Sequence, residues 1–207
     1  MLFRSVAVCS GLAAIVAAIC AFVKAGDHVL VADSVYGPTR NFCNKRLASY
    51  GVTTEYYDPL IGAGIKNLIK SNTKAIYCEA PGSLSFEMQD IPAIAREAHA
   101  RDIPVLADTT WGTPYFFKSF EHGVDVSIHA ATKYIVGHSD VMMGMIVTNE
   151  RYWLPVRRTV ADYGYCSSAD ECYLALRGLR TIGVRMKQQM ASAIKVAQWL
   201  QTRAEVS

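Results

Sequence analysis

The sequence predicts an α/β fold, a mostly parallel sheet flanked by helices, and three observations carry that expectation. Short apolar runs such as His28-Val29-Leu30-Val31-Ala32, Ala75-Ile76-Tyr77-Cys78-Glu79 and Ile103-Pro104-Val105-Leu106-Ala107 read as buried strands. They alternate with segments of helical period, and that alternation implies parallel strands joined by right-handed crossovers. Finally, the polar and glycine-rich stretches Asp33 to Pro38, Pro81 to Ser83 and Asp108 to Tyr115 fall just past strand ends, where such a sheet presents its chemistry.

Composition bounds the rest. A chain of 207 residues with 51% hydrophobic content has ample core for one large domain. The net charge of +3, from 21 basic and 18 acidic residues, is mild, and no basic block is present to track a phosphate backbone. Nucleic acid is therefore not an implied partner. The six cysteines are scattered and include no Cys-x-x-Cys, which points away from a metal site or redox dithiol and towards buried, reduced thiols in the cytoplasm. The nearly uncharged run from Ser5 to Val23 resembles a membrane anchor in length. Ser10-Gly11 interrupts it, its alanines make it weakly hydrophobic, and Lys24-Ala25-Gly26-Asp27 leads straight into a strand. A buried helix and no membrane span is the reading that accounts for all three.

In order, the pattern gives a helix from Ser10-Gly11 to about Val23, the strand 28–32, a helix from about Thr39 to Tyr50 closed by Gly51, and a strand over Thr53 to Tyr57. A short helix over 63–71 and the strand ending at Glu79 follow. Asp90 and Pro92 launch an amphipathic helix from Ile91 to Arg101. Next come the strand ending at Asp108, a short helix near 116–121, and an alternating run (Val124, Val126, Ile128) that enters the segment around Lys133. A last strand spans Met143 to Thr148. Beyond 150 the pattern is helical, with one long stretch from Gly183 to about Arg203. The domain reading is a large domain over residues 1–182 and a connector helix over 183–207.

Several of these positions suit one cofactor. Pyridoxal phosphate calls for an amine to form a Schiff base, an acid facing the pyridine nitrogen, an aromatic face and a phosphate cradle. Lys133 can supply the amine from a loop of small and hydroxyl-bearing neighbours. Asp108 can face the pyridine nitrogen and Tyr36 can stack on the ring. Ser10-Gly11-Leu12, opening a helix, offers free backbone N–H groups to an anion, with Thr132 adding a hydroxyl. Taken singly, a surface lysine, a strand-end acid, a core tyrosine and a capped helix start are each ordinary; their co-occurrence on one rim is the argument.

The segment Ala130-Ala131-Thr132-Lys133-Tyr134-Ile135-Val136-Gly137-His138-Ser139-Asp140 resembles the lysine signature of the Cys/Met-metabolism pyridoxal-phosphate enzymes. Ser10-Gly11-Leu12-Ala13-Ala14, Gly26-Asp27-His28-Val29-Leu30, Tyr36-Gly37, Asp108-Thr109-Thr110-Trp111 and Arg177-Gly178-Leu179-Arg180-Thr181 agree in order and spacing. Glu79-Ala80-Pro81-Gly82-Ser83 and Tyr56-Tyr57-Asp58-Pro59-Leu60-Ile61-Gly62 resemble the bacterial cystathionine β-lyase branch.

The resemblance implies the large cofactor domain of a fold-type I, aspartate-aminotransferase-like enzyme, and β-elimination from L-cystathionine in methionine biosynthesis. Catalytic roles would fall to Lys133 and Tyr36. Lys133, Asp108, Tyr36, Gly11, Leu12, Thr132, Thr110 and Ser83 would bind the cofactor. Ser83 stands about where other branches carry an asparagine near the cofactor's phenolic oxygen, and Ala130 where many relatives carry a phosphate-binding serine. Intact relatives are tetramers built from dimers, so a homo-oligomer is expected. The family's N-terminal Tyr-x-Arg is not found before Ser10, and its carboxylate-binding C-terminal domain is not found after the connector helix. The implied readings are thus a lyase domain lacking both ends, a non-catalytic subunit of a split enzyme, or a family member of the γ-synthase or γ-lyase type.

Overall fold

A computed structural model describes residues 3–206. Its strands are β1 (Phe3–Val8), β2 (His28–Ala32), β3 (Thr53–Tyr57), β4 (Thr73–Glu79), β5 (Val105–Asp108), β6 (Val126–His129) and β7 (Gly144–Asn149). They form one seven-stranded sheet in the order β1-β7-β6-β5-β4-β2-β3. From β3 to β6 the strands run parallel, while β7 is antiparallel to β6 and β1 is antiparallel to β7. The sheet is therefore mostly parallel, as the alternation of strands and helices implies. Every residue of β2 is buried, because helices cover a parallel sheet on both faces; β7, near the antiparallel edge, alternates buried and half-buried residues.

The helices are α1 (Gly11–Cys20), α2 (Gly37–Asn41, continued as a π-helical segment to Leu47), α3 (Ile91–His99), α4 (Thr113–Phe116), α5 (Glu150–Asp162), α6 (Ala169–Leu179) and α7 (Ile182–Leu200). Residues 62–67 and 119–122 are short 3₁₀ turns. The chain runs outward from β2 to β3, returns to β4 on the other side of β2, and then continues through β5 to β6. The direction of winding thus reverses between β2 and β4, and the loops leaving those two strands diverge to open a crevice at their C-terminal ends.

The run from Ser5 to Val23 is not one element. Its first part belongs to the strand β1, paired along its length with β7, and only residues 11–20 are helical. Ser10 makes the break. Its extended backbone ends the strand, and its Oγ accepts the Ala13 N–H at 3.1 Å, capping α1. Small residues then bury α1 almost all round, with Ala14, Ala17, Ala18 and Ile19 fully inaccessible. Burial inside the fold accounts for the apolar stretch; among the described residues no helix is long and apolar enough to cross a membrane.

The cysteines also depart from expectation. All six are unbridged, but only Cys43 and Cys78 are buried; Cys20 is half-buried, and Cys9, Cys166 and Cys172 are exposed. Cys9 lies in the turn after an edge strand, Cys166 in the connection before α6, and Cys172 on an exposed part of α6, so none of the three meets the core.

Candidate active site

The C-terminal ends of four adjacent strands bring the candidate residues to one rim. In spatial order these are the Lys133 loop after β6, Asp108 ending β5, Glu79 ending β4 with Ser83 beyond it, and Tyr36 after β2.

Asp108 is half-buried and is the register partner of Glu79 across β4 and β5. Its Oδ1 accepts the Thr110 N–H at 2.9 Å. Burial raises its pKa, and the hydrogen bonds from Thr110 oppose that shift. Thr110 also reaches sideways: its Oγ1 accepts the Ala130 N–H at 2.7 Å, tying the acid's turn to the start of the lysine loop.

Glu79 is the residue that sequence reasoning passed over. It is buried and clasps two candidate positions, accepting the Tyr36 N–H on Oε2 at 3.0 Å and the Ser83 hydroxyl on Oε1 at 2.5 Å. The Ser83 N–H donates to the Ser34 carbonyl at 2.7 Å, so the loops after β2 and β4 are buttoned together over the crevice. Gly82 is needed there because a Cβ would lie 2.5 Å from Ser34. Burial first, and then the neighbouring charge of Asp108, push the Glu79 pKa up to about 7. Its place at a strand end beside Asp108 was legible; its partners, brought from another strand, were not. Tyr36 itself is 48% exposed, its ring on the open rim.

Lys133 is exposed, and among the described residues it has no ion-pair partner. The salt-bridged surface lysine, the ordinary alternative, is therefore not what the fold builds. Beside the lysine, the Thr132 hydroxyl donates to the Met143 carbonyl at 3.1 Å and accepts the Met143 N–H at 2.9 Å, so in this arrangement it holds the loop to the start of β7.

The amides of Gly11 and Leu12, by contrast, meet no acceptor among the described residues. Gly11 lets α1 press against the loop, since a Cβ there would lie 2.6 Å from that of Ala130. The open, positive end of α1 is thereby set beside the lysine segment, as an anion requires. The donor set fits pyridoxal phosphate: an unpaired amine, a half-buried acid one strand away, two free amides at a helix start and an aromatic ring on the same rim.

A family model of Cys/Met metabolism PLP-dependent enzymes matches residues 3–207. The chain belongs to this family. Its cofactor is accordingly pyridoxal phosphate. Among relatives, the chain is 50% identical over 198 residues to a putative cystathionine beta-lyase of Rhizobium johnstonii, covering 96% of this chain and 50% of that protein. It is 44% identical over 199 residues to the cystathionine beta-lyase MetC of Escherichia coli, covering 95% of this chain and again 50% of the relative. The solved structure of cystathionine gamma-lyase from Lactobacillus plantarum complexed with L-serine superposes with a TM-score of 0.95 at 33% identity, over 98% of this chain and 53% of that one. The chain thus spans about half the length of the curated relatives it matches.

Proposed function

We propose that this polypeptide is the cofactor-binding portion of a carbon–sulfur β-lyase. L-cystathionine and water would give homocysteine, pyruvate and ammonia. What supports the β-lyase reading over the family's other reactions is identity of 44–50% to proteins named for that activity, extending over nearly the whole chain.

Bound pyridoxal phosphate supplies an electron sink for negative charge at the substrate's α carbon. The residues of this chain would hold that group and move the protons. Lys133 Nζ would anchor it, and its free amine would take the proton from the substrate's α carbon. The Asp108 carboxylate keeps the pyridine nitrogen protonated by charge pairing. Tyr36 stacks on the ring, held in place through its backbone by Glu79. The Gly11 and Leu12 amides receive the phosphate at the start of α1, and Thr132 joins them if its hydroxyl turns from Met143. Thr110 fixes the distance between the acid's turn and the lysine loop, and Ser83 lines the crevice from the β4 side. In this reading α7 leads from the large domain towards the rest of the enzyme, which is a cytoplasmic homo-oligomer.

The test is to add pyridoxal phosphate and follow its visible absorbance. The expected result is a lysine-linked band in the wild-type chain that is lost in Lys133→Ala; no band in the wild type sinks the cofactor assignment. Release of pyruvate and homocysteine from cystathionine supports the β-lyase reading, whereas release of cysteine assigns the chain to the γ-lyase type.

A further inference from the structure

Arg185 lies in the first turn of α7 and is half-buried. Its guanidinium faces carbonyls and a hydroxyl. Nη1 donates to the Tyr134 carbonyl at 2.8 Å, Nη2 to the carbonyls of Gly178 at 2.7 Å and Ile135 at 3.3 Å, and Nε to Thr181 Oγ1 at 2.9 Å. Among the described residues no carboxylate pairs with it, and desolvation lowers its pKa. Its charge is balanced instead by backbone dipoles, including a carbonyl in the last turn of α6, where a helix end attracts cations.

Two of those carbonyls belong to the residues immediately after Lys133, and the loop is shaped to receive the arginine. Gly137 has φ +73°, and a Cβ there would lie 2.1 Å from Arg185 Nη1. Gly178 lets α6 close on the same stretch, since its Cβ would lie 2.1 Å from the Val136 carbonyl oxygen and 2.4 Å from that of Ile135. The loop completes itself with the Gly137 N–H on the Lys133 carbonyl at 2.8 Å and the Val136 N–H on the Ala131 carbonyl at 2.9 Å.

We propose that Arg185 is the positioning residue for Lys133: the guanidinium of α7 clamps the turn that carries the lysine, so its Nζ is aimed from the helices behind the loop. A planar fork of fixed donors can hold four separated acceptors, and a lysine ammonium cannot, so Arg→Lys is not a conservative change here. The inference rests on the reading of Lys133 as the cofactor lysine, but two of its tests need no cofactor.

The experiment compares the wild type with Arg185→Lys and Gly137→Ala as the two loop variants, Arg185→Ala for chemical rescue, and Arg101→Ala as a distant surface control. In the cofactor-free chain, the Val136 and Gly137 amides should exchange about tenfold faster in both loop variants, as expected for lost charge-assisted hydrogen bonds. Amides of β4 and β5 should not change. The rate of Lys133 acetylation by acetic anhydride at one fixed pH, read by mass spectrometry, should also change in both loop variants and stay fixed in the control. With pyridoxal phosphate present, half-saturation should rise by about tenfold, and methylguanidinium should restore loading to Arg185→Ala. If Arg185→Ala does not fold, Arg185→Lys carries the test, since it keeps the charge and loses only the planar fork. Unchanged Lys133 acetylation and loop exchange in both variants overturn the proposal. Failure of the wild type to load pyridoxal phosphate overturns the cofactor reading instead.

Discussion

Asp108 and Lys133 follow adjacent parallel strands, β5 and β6, yet they are fastened by different means. Asp108 is the last residue of its strand, in register with Glu79, and its carboxylate is held from its own turn by Thr110. The acid side of the rim is thus an extension of the sheet. Lys133 lies four residues beyond the end of β6, in a turn held by Thr110 and Met143 in front and by α6 and α7 behind. In the proposed function, the acid that would keep a fixed charge sits on the rigid element, and the amine that would leave one partner for another sits on a loop whose position is set at a distance.

The strongest way to break this comparison is at the helix side. Gly178→Ala places a methyl 2.1 Å from the Val136 carbonyl oxygen, and both partners are backbone, so α6 or the loop must shift. A loss of stability of about 3 kcal/mol is expected in chemical denaturation. Cofactor loading should fall with it, while amide exchange in β4 and β5 stays at the wild-type rate in the folded protein. A loss of protection spread evenly over both sides would show that the two are not fastened separately.

On the acid side, Asp108→Asn removes the charge proposed to face the pyridine nitrogen but retains the shape. Cofactor affinity should weaken by about thirtyfold, the equivalent of ~2 kcal/mol for a broken charge pair. Isothermal titration with pyridoxal phosphate measures it, and an unchanged affinity would remove Asp108 from the site.

Glu79 sharpens the same side through pH. Its folded pKa of about 7 lies above the ordinary 4.5. A raised acid contributes stability that is fully present below its unfolded value and is lost as pH rises through the folded one. Asp108, also raised, acts in the same direction. His129, lowered to about 4 by burial, acts oppositely: its contribution is present above its ordinary 6.5 and lost as pH falls. The Glu79 contribution should therefore fall by up to ~3 kcal/mol from about pH 5 to pH 8, offset below pH 6.5 by the opposing rise from His129 and seen undiluted above it. Glu79→Gln should flatten that slope, and urea denaturation across the range decides it.

The smallest effect belongs to the exposed pair of Arg177 and Asp140, 2.6 Å apart at the far end of the lysine loop. Both side chains are more than a third accessible, so Arg177→Ala should cost less than about 1 kcal/mol and fade with added salt. A larger loss would mean that the loop depends on this ion pair as well as on Arg185.

Much of the sheet and most candidate positions were legible because they depend on local pattern. The central residues 29–32, 75–78 and 105–107 of three strands are apolar and buried throughout, as strands covered on both faces require. Strand β1 was hidden because its residues continue without a charge into α1, and no local signal separates an edge strand from the first turns of an apolar helix. The cysteines misled for a related reason: the residue type favours the core, but the surface elements that carry Cys166 and Cys172 offer none.

The sequence by itself determined the alternation of strands and helices, the places of Lys133 and Asp108 at or past the ends of their strands, and the glycine at the start of α1. These follow from periodicity, capping and residue chemistry within a few neighbours. Only the tertiary structure decided that Glu79 holds Tyr36 and Ser83, that Thr132 is engaged with Met143, and that Arg185, some fifty residues along the chain, grips the turn after Lys133. Each of those contacts joins groups whose approach is set by strand order and helix packing. The energy of such a contact appears only once the whole chain has closed around it.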